Sequence, residues 1–341
     1  YTYNGMDEIT SVVDPKGHTV TIEYDPVFMV PTKEVDANGV ETLYTYDKEG
    51  NLISITKDGI TQALYTYDSK GQLKSTTYAN GLVEEYGYDN AGNAISMTDS
   101  HGRVTVNTYD NRGNLISATT ADDATTTYGY DLAGNLITTT DPEGNKTTFT
   151  YDGNGNLLSE TDGEGNTTTY SYDLNNRLTK TTFADGSSET YVYDSEGRMT
   201  GFADQRNYLT SYSYDQNGNR IKITDPLGNA TEVTYDAAGR MERIKDAKGN
   251  TTTYSYDALG NVTSETDVSG NSITYTYDPN GNLLSLTDKN GNKTTYSYDS
   301  FNRLMKETDA LGGKTTYRYD VMGNLLSISD AKGAKTTYDY D

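Results

Sequence analysis

Cysteine is absent from all 341 residues, which excludes a disulfide framework or a thiolate metal site and fits an extracellular setting. Long apolar runs are absent too, and nothing approaches the roughly 20 residues of a helical membrane span. The opening YTYNGMDEIT lacks the basic-then-apolar layout of a signal peptide, so any export signal is expected outside this segment. Basic residues are in the minority, 27 Lys and Arg against 50 Asp and Glu, for a net charge of -23. No basic stripe interrupts that charge and a phosphate backbone would be repelled, so nucleic acid is not expected as a partner. Histidine occurs only at His18 and His101, without a recurring Ser or Cys for nucleophilic catalysis. Both are read as exposed turn residues. Apolar residues at the three-and-four spacing are missing throughout, so almost no helix is expected.

What the chain does have is tyrosine, 32 residues of it. With 33% hydrophobic residues and this much net charge, disorder would be the usual outcome. Tyrosine changes that expectation, because it favours strands and buries a large ring while its hydroxyl stays wet. The tyrosines are also periodic. Tyr-Asp pairs run from Tyr24 to Tyr340, every 21 residues from Tyr46 on, with one step of 22 between Tyr24 and Tyr46. Tyr3 holds the same phase with Asn4 in place of Asp. Residues 1–341 therefore read as a single array of about sixteen repeats with no second domain and one irregular repeat at 25–46.

One repeat shows how the unit is built. Asp278, Asp288 and Asp299 divide it into 10 and 11 residues, and each half reads as a turn followed by a strand. In Asp-x-x-Gly-Asn, as at Asp278 to Asn282, the Asp side chain accepts from backbone N–H groups ahead of it. Gly281 or Gly291 supplies the positive φ that closes a type I turn with a bulge. Asn176 and Asn302 replace the Gly at first turns, and Asn also tolerates that conformation. Between turns, alternation places Leu283, Ser285 and Thr287 on one face and Leu284 and Leu286 on the other. Thr294, Tyr296 and Tyr298 share a face in the next strand. Tyr-x-Tyr recurs there, with Ile22, Asn107, Phe149 and Val233 where the first Tyr is missing. A Tyr column and a leading Leu or Met column are thus expected to hold the strip together through cross-strand pairs.

Tyr-Asp-x-x-Gly-Asn-Leu, as at Tyr277 to Leu283, with a Tyr-x before it, resembles the signature of the RHS/YD-repeat family. That family includes bacterial RHS polymorphic toxins, shell-forming subunits of insecticidal Tc toxins, wall-associated proteins and animal teneurins. The resemblance runs the length of the chain. It implies an all-β fold, a repeat array of antiparallel β-hairpins forming a continuous coiled strip as part of a hollow shell or tube. Two departures stand out. The family often has Gly-Arg-Leu where this chain mostly has Gly-Asn-Leu, the Arg being kept at Arg177, Arg198, Arg240 and Arg303. The segment with self-cleaving aspartates that follows the repeats in RHS toxins is not in these residues.

The remaining features read as structural. Aspartate recurs identically, whereas catalytic carboxylates need unlike environments. Asp152 to Asn156 imitates the start of a calcium loop, but Leu157 stands at the sixth position and Gly163 at the twelfth. Asn145-Lys146-Thr147 matches a glycosylation acceptor, as chance allows in a chain rich in Asn and Thr. Residues 25–35, DPVFMVPTKEV, break the pattern. They read either as a decayed repeat whose extra residue is taken up as a bulge, or as an apolar contact that plugs an interior or docks a neighbour. Both ends share one phase and neither is capped, which suggests joining to adjoining repeats or copies through open sheet edges.

No cofactor, metal or catalytic site is expected. The residues expected to matter are structural, namely Asp278, Gly281, Asn282, Leu283, Asp288, Gly291, Tyr296 and Tyr298. The function expected is a non-catalytic wall, secreted or on the bacterial cell surface, that encloses a polypeptide cargo or forms a filament. The alternative is a glycan-binding adhesion module.

Overall fold

Thr, Tyr, Val and Ile between closely spaced turn signals leave the backbone one good option, short strands joined by tight turns. The computed structural model describes residues 1–340. Among them are 33 strands and no helix, from β1 (Thr2–Tyr3) to β33 (Lys335–Thr337), in one antiparallel sheet. The sheet is open, since β1 pairs with β2 (Ile9–Val13) and β33 with β32 (Leu325–Ser329).

The chain divides into two compact units, Tyr86–Asn250 and the combined segments Tyr1–Glu85 and Thr251–Asp341, both made of the same repeat. In the first, β10 (Ala94–Thr98) to β24 (Met241–Lys245) follow one another as an antiparallel meander. In the second, β1 to β8 (Leu73–Tyr78) form one meander and β25 (Thr251–Tyr256) to β33 another. Within each unit, strands of the described residues contact only their sheet neighbours, so no second layer covers either face. There is accordingly no conventional core. Among the described residues the buried hydrophobic ones are Ala63, Ala203 and Val233, and no large side chain is fully enclosed. Cohesion comes from neighbour-to-neighbour contacts, as in other quasi-one-dimensional repeat folds.

Strands of five and six residues alternate, and a bulge reconciles them. Between β27 (Ser272–Tyr277) and β28 (Leu283–Thr287), Tyr277 pairs with Leu283 and Thr276 with Ser285, leaving Leu284 unopposed. This corrects the simple alternation expected across Leu283. Ser285 and Thr287 keep to one face, but Leu283 is brought opposite Tyr277. The next hairpin, from β28 to β29 (Lys293–Tyr298), has no bulge. The same asymmetry repeats at Tyr151, Tyr172 and Tyr298, where the bulge always follows a first turn.

Two irregularities sit in the longer unit. The extra residue at 25–30 is taken up in the turn, contrary to the expected strand bulge. Asp25 N donates to Val30 O at 2.9 Å, Met29 N to Asp25 O at 3.0 Å, and Met29 takes the left-handed conformation at φ 57°. The flanking bulge at Tyr24 is the ordinary one. Phe28 reaches the neighbouring first turn, and a Cβ placed on Gly50 would lie 2.8 Å from its ring. At Asp58-Gly59 a two-residue turn with φ of 48° and 72° replaces Asp-x-x-Gly, joining β6 (Leu52–Lys57) to the longer β7 (Ile60–Tyr67). Asp-Gly is favoured in the type I′ geometry that those angles describe.

Candidate functional site, the turn edges and their seam

Most turns are closed by the Asp that begins them. Asp278 N donates to Asn282 O and Gly281 N to Asp278 O, at 2.9 and 3.0 Å. Gly281 sits at φ 85° and Gly291 at φ 84°. The carboxylate then binds forward, Oδ1 accepting from Asn280 N and Asn282 N, and Oδ2 from Asn282 Nδ2 at 2.9 Å. Asp288 makes the same set with Asn290 and Asn292. The Asn292 side-chain amide, and after it the Asn292 backbone N–H, hold the Asp288 carboxyl below its ordinary range. Where the first residue is Phe183 or Tyr78, the third takes over, since Asp185 Oδ1 accepts from Ser187 N and Asn80 Oδ1 from Leu82 N.

Tyrosine hydroxyls join neighbouring repeats. Tyr298 OH donates to Leu283 O at 3.0 Å, and Tyr277, Tyr193 and Tyr24 do likewise to Val262, Leu178 and Ile9, always 15 residues back. Partial burial raises the Tyr298 and Tyr296 hydroxyls above their ordinary value. The cross-strand partner of Tyr298 is Leu304 and that of Tyr296 is Glu307, so Tyr and Leu stand opposite each other within the sheet.

At the turn edges of the unit formed by Tyr1–Glu85 and Thr251–Asp341, the strip meets itself. Lys16 Nζ lies 2.7 Å from Asp257 Oδ2. One repeat on, Asn38 Nδ2 donates to Asp278 Oδ2 at 3.2 Å and Asn280 Nδ2 to Asp36 Oδ2 at 3.0 Å. A further repeat on, the Lys57 ammonium lies 5.5 Å from the Phe301 ring centroid. Asp257 is only 10% exposed at its side chain. That burial opposes ionisation, but hydrogen bonds from Lys16 and Asn261 outweigh it and hold the carboxyl well below the usual carboxylate range.

The RHS repeat family model matches residues 67–104 and, in overlapping matches, 109–335. The chain belongs to the RHS repeat family. Among curated proteins none matches the sequence. Among solved structures, a complex described as TcdB2-TccC3-Cdc42 is similar over 95% of this chain at 16% identity, with a TM-score of 0.74. The Tc holotoxin pore of Photorhabdus luminescens is similar over 94% at 17% identity, with a TM-score of 0.75. At that identity the likeness is one of fold. This RHS chain spans 22% of the length of each.

The RHS arginines are explained by reach. Asn219 caps its own Asp215, whereas Arg177, Arg198 and Arg303 cap theirs and extend to the next repeat. Arg303 donates from Nε to Asp299 at 2.7 Å and from Nη1 to Asp320 O at 2.9 Å, while its guanidinium lies 5.0 Å from the Tyr319 ring centroid. His18 takes the Asn position of its turn, its Nδ1 2.7 Å from Asp14 Oδ2, and His101 is the exposed third residue of the turn that begins at Asp99. Asp152 spends both oxygens on Asn154 and Asn156. Among the described residues no group of three or more His, Cys, Asp or Glu is placed to hold a metal.

Sequence reasoning missed the tyrosine clasp and the seam. A buried tyrosine hydroxyl needs a partner, which signals that a bond exists without saying to what. The seam joins residues 240 to 244 apart, beyond any local pattern.

Proposed function

We propose that the chain is a non-catalytic structural scaffold, a stretch of the wall of a secreted or cell-surface RHS shell or tube. The wall encloses a polypeptide cargo or assembles into an extracellular filament. The observation that carries this reading is that the strip consumes its own recurring polar groups. Asp278 is filled by its turn and by Asn38, and the Tyr298 hydroxyl by Leu283. A catalytic carboxylate or hydroxyl needs a free valence facing substrate. The eight structural residues named from the sequence take this role, Asp278, Gly281, Asn282, Asp288 and Gly291 in turns and Leu283, Tyr296 and Tyr298 between strands.

The similarity in fold to toxin complexes supports enclosure of a polypeptide, and the absence of cysteine suits an extracellular setting. A glycan platform would present open aromatic faces, whereas Tyr296 and Tyr298 are half-buried. The test is to express residues 1–341, image the particles by electron microscopy, and assay hydrolase, nuclease and protease activity alongside a glycan array. Hollow particles or fibres without turnover are expected. Turnover removed by a point mutation in one repeat, or a specific glycan hit, would overturn the reading.

A further inference from the structure

We infer that the third residue of each turn is a recognition element, which decides where the edge of the strip can seat another course of the same repeat. A hydrogen-bond donor there admits an opposing turn, and an acid refuses it. The inference goes beyond the wall reading and does not depend on it, because an adhesive strip would face the same choice of edges.

The argument begins with the lone pairs of the turn Asp. A carboxylate has about four acceptor sites. In Asp257 two on Oδ1 are taken by Leu259 N and Asn261 N, and one on Oδ2 by Asn261 Nδ2. Lys16 Nζ donates to Oδ2 as well. Asp278 is filled in the same way, with Asn38 as the outside donor. Each complete turn therefore offers one outward acceptor per repeat. At the seam the groups that fill it, Lys16, Asn38 and Asn280, are all third residues of an opposing turn, whereas away from the seam Asp267 takes Lys289, a second residue. The pairing at Asn38 is reciprocal, because Asn280 returns a bond to Asp36.

An acid at the third position has no proton to give and sets like charges face to face, which costs affinity for the wrong partner. Four consecutive second turns carry one, at Asp122, Glu143, Glu164 and Asp185, all exposed. The partner that fits the edge at Lys16 and Asn38 is thus a first-turn edge of this same repeat, and the edge at Asp122 to Asp185 is closed to it.

The test uses zero-length carbodiimide coupling, which joins an amine to a carboxylate already in contact. The Lys16 Nζ and the Asp257 carboxyl form an amide while the carbodiimide takes up the elements of water and leaves as a urea. Mass spectrometry of the native chain should find the Lys16–Asp257 peptide pair, and its absence would overturn the inference. Asn38→Asp places an acid opposite Asp278 one repeat away from the reporter, and the yield should fall about two- to fivefold, the range for an exposed charge contact. Asn38→Lys should keep the yield. Because Glu143 and Glu164 already occupy this position natively, an acid there is compatible with folding, and circular dichroism checks it. An unchanged yield in Asn38→Asp would refute the admitting half. For the refusing half, the double variant Glu143→Lys with Glu164→Lys should associate more with rising concentration than the native chain in sedimentation. Identical sedimentation would refute it.

Discussion

The turn at Asp278–Asn282 obeys the repeat, and the turn at Asp25–Val30 has one residue more, no glycine, and Met29 in the left-handed slot. Their surroundings are nonetheless alike. Tyr277 pairs with Leu283 after a bulge, and Tyr24 with Pro31 after the same bulge. The hydroxyls of Tyr277 and Tyr24 both reach the carbonyl 15 residues earlier. The repeat is therefore defined by its flanking pair and its clasp. Turn sequence is free to vary as long as one residue turns left-handed and the two ends are closed by backbone bonds.

The largest effect expected is from acid, because it acts on many regular turns together. The Asp99 carboxyl is lowered to about 2 by the Arg103 backbone N–H and, after it, the Arg103 side chain, and Asp267 to about 2 by Lys289. A carboxyl lowered in the folded state favours folding above its unfolded value, here 3.8, and that contribution is lost as pH falls toward 2. Thermal melts should be level above about pH 5 and fall steeply from about pH 4 to 2. A level profile in that window would mean that the turn carboxylates contribute nothing to stability.

Next in size is the clasp. Tyr298→Ala removes a half-buried ring and its bond to Leu283 O, and should cost about 2 to 3 kcal/mol in chemical denaturation. Tyr298→Phe should cost about 1 kcal/mol, the value of the hydroxyl bond alone. Tyr24→Ala, beside the irregular turn, should match Tyr298→Ala within about 1 kcal/mol. Unequal losses at the two tyrosines would break the equivalence of the two regions.

Much of this was legible in the residues, and what was hidden was hidden for physical reasons. The 21-residue phase, the Asp and Gly roles and the all-β class follow from local chemistry, since a turn Asp acts within four residues of itself. The bulge at Tyr277 was readable only by noticing that strands of five and six residues must share one register. Asp58-Gly59 keeps the period while changing the turn type, so the spacing concealed it. The bond from Tyr298 to Leu283 joins neighbouring strands across 15 residues of sequence, and the one from Lys16 to Asp257 spans 241 residues. Neither leaves a trace in local periodicity.

Smaller again is the left-handed slot of the regular turn. Gly281 is at φ 85°, where a β-branched side chain is strained, so Gly281→Val should cost about 1 to 2 kcal/mol. Gly281→Asn should be nearly neutral, because Asn176 and Asn302 hold the same conformation at φ 59° and 62°. Coincident melts for the two variants would show that the slot imposes no backbone demand.

The smallest effect is expected where the irregular turn already breaks the rule. Met29 sits at φ 57°, so replacing it with glycine relieves a backbone cost of about 1 kcal/mol. Glycine returns about 0.5 to 1 kcal/mol of that as lost chain entropy on folding. Met29 also lines an open cavity of about 610 Å³ with Met6, Ile22, Tyr24 and Pro26, and the contacts given up there offset what remains. Met29→Gly should therefore leave stability within about 0.5 kcal/mol of the native chain in chemical denaturation. A loss above about 1 kcal/mol would show that the Met29 side chain, and not the backbone closure from Asp25 to Val30, holds this turn, and that the two turns are built on different principles.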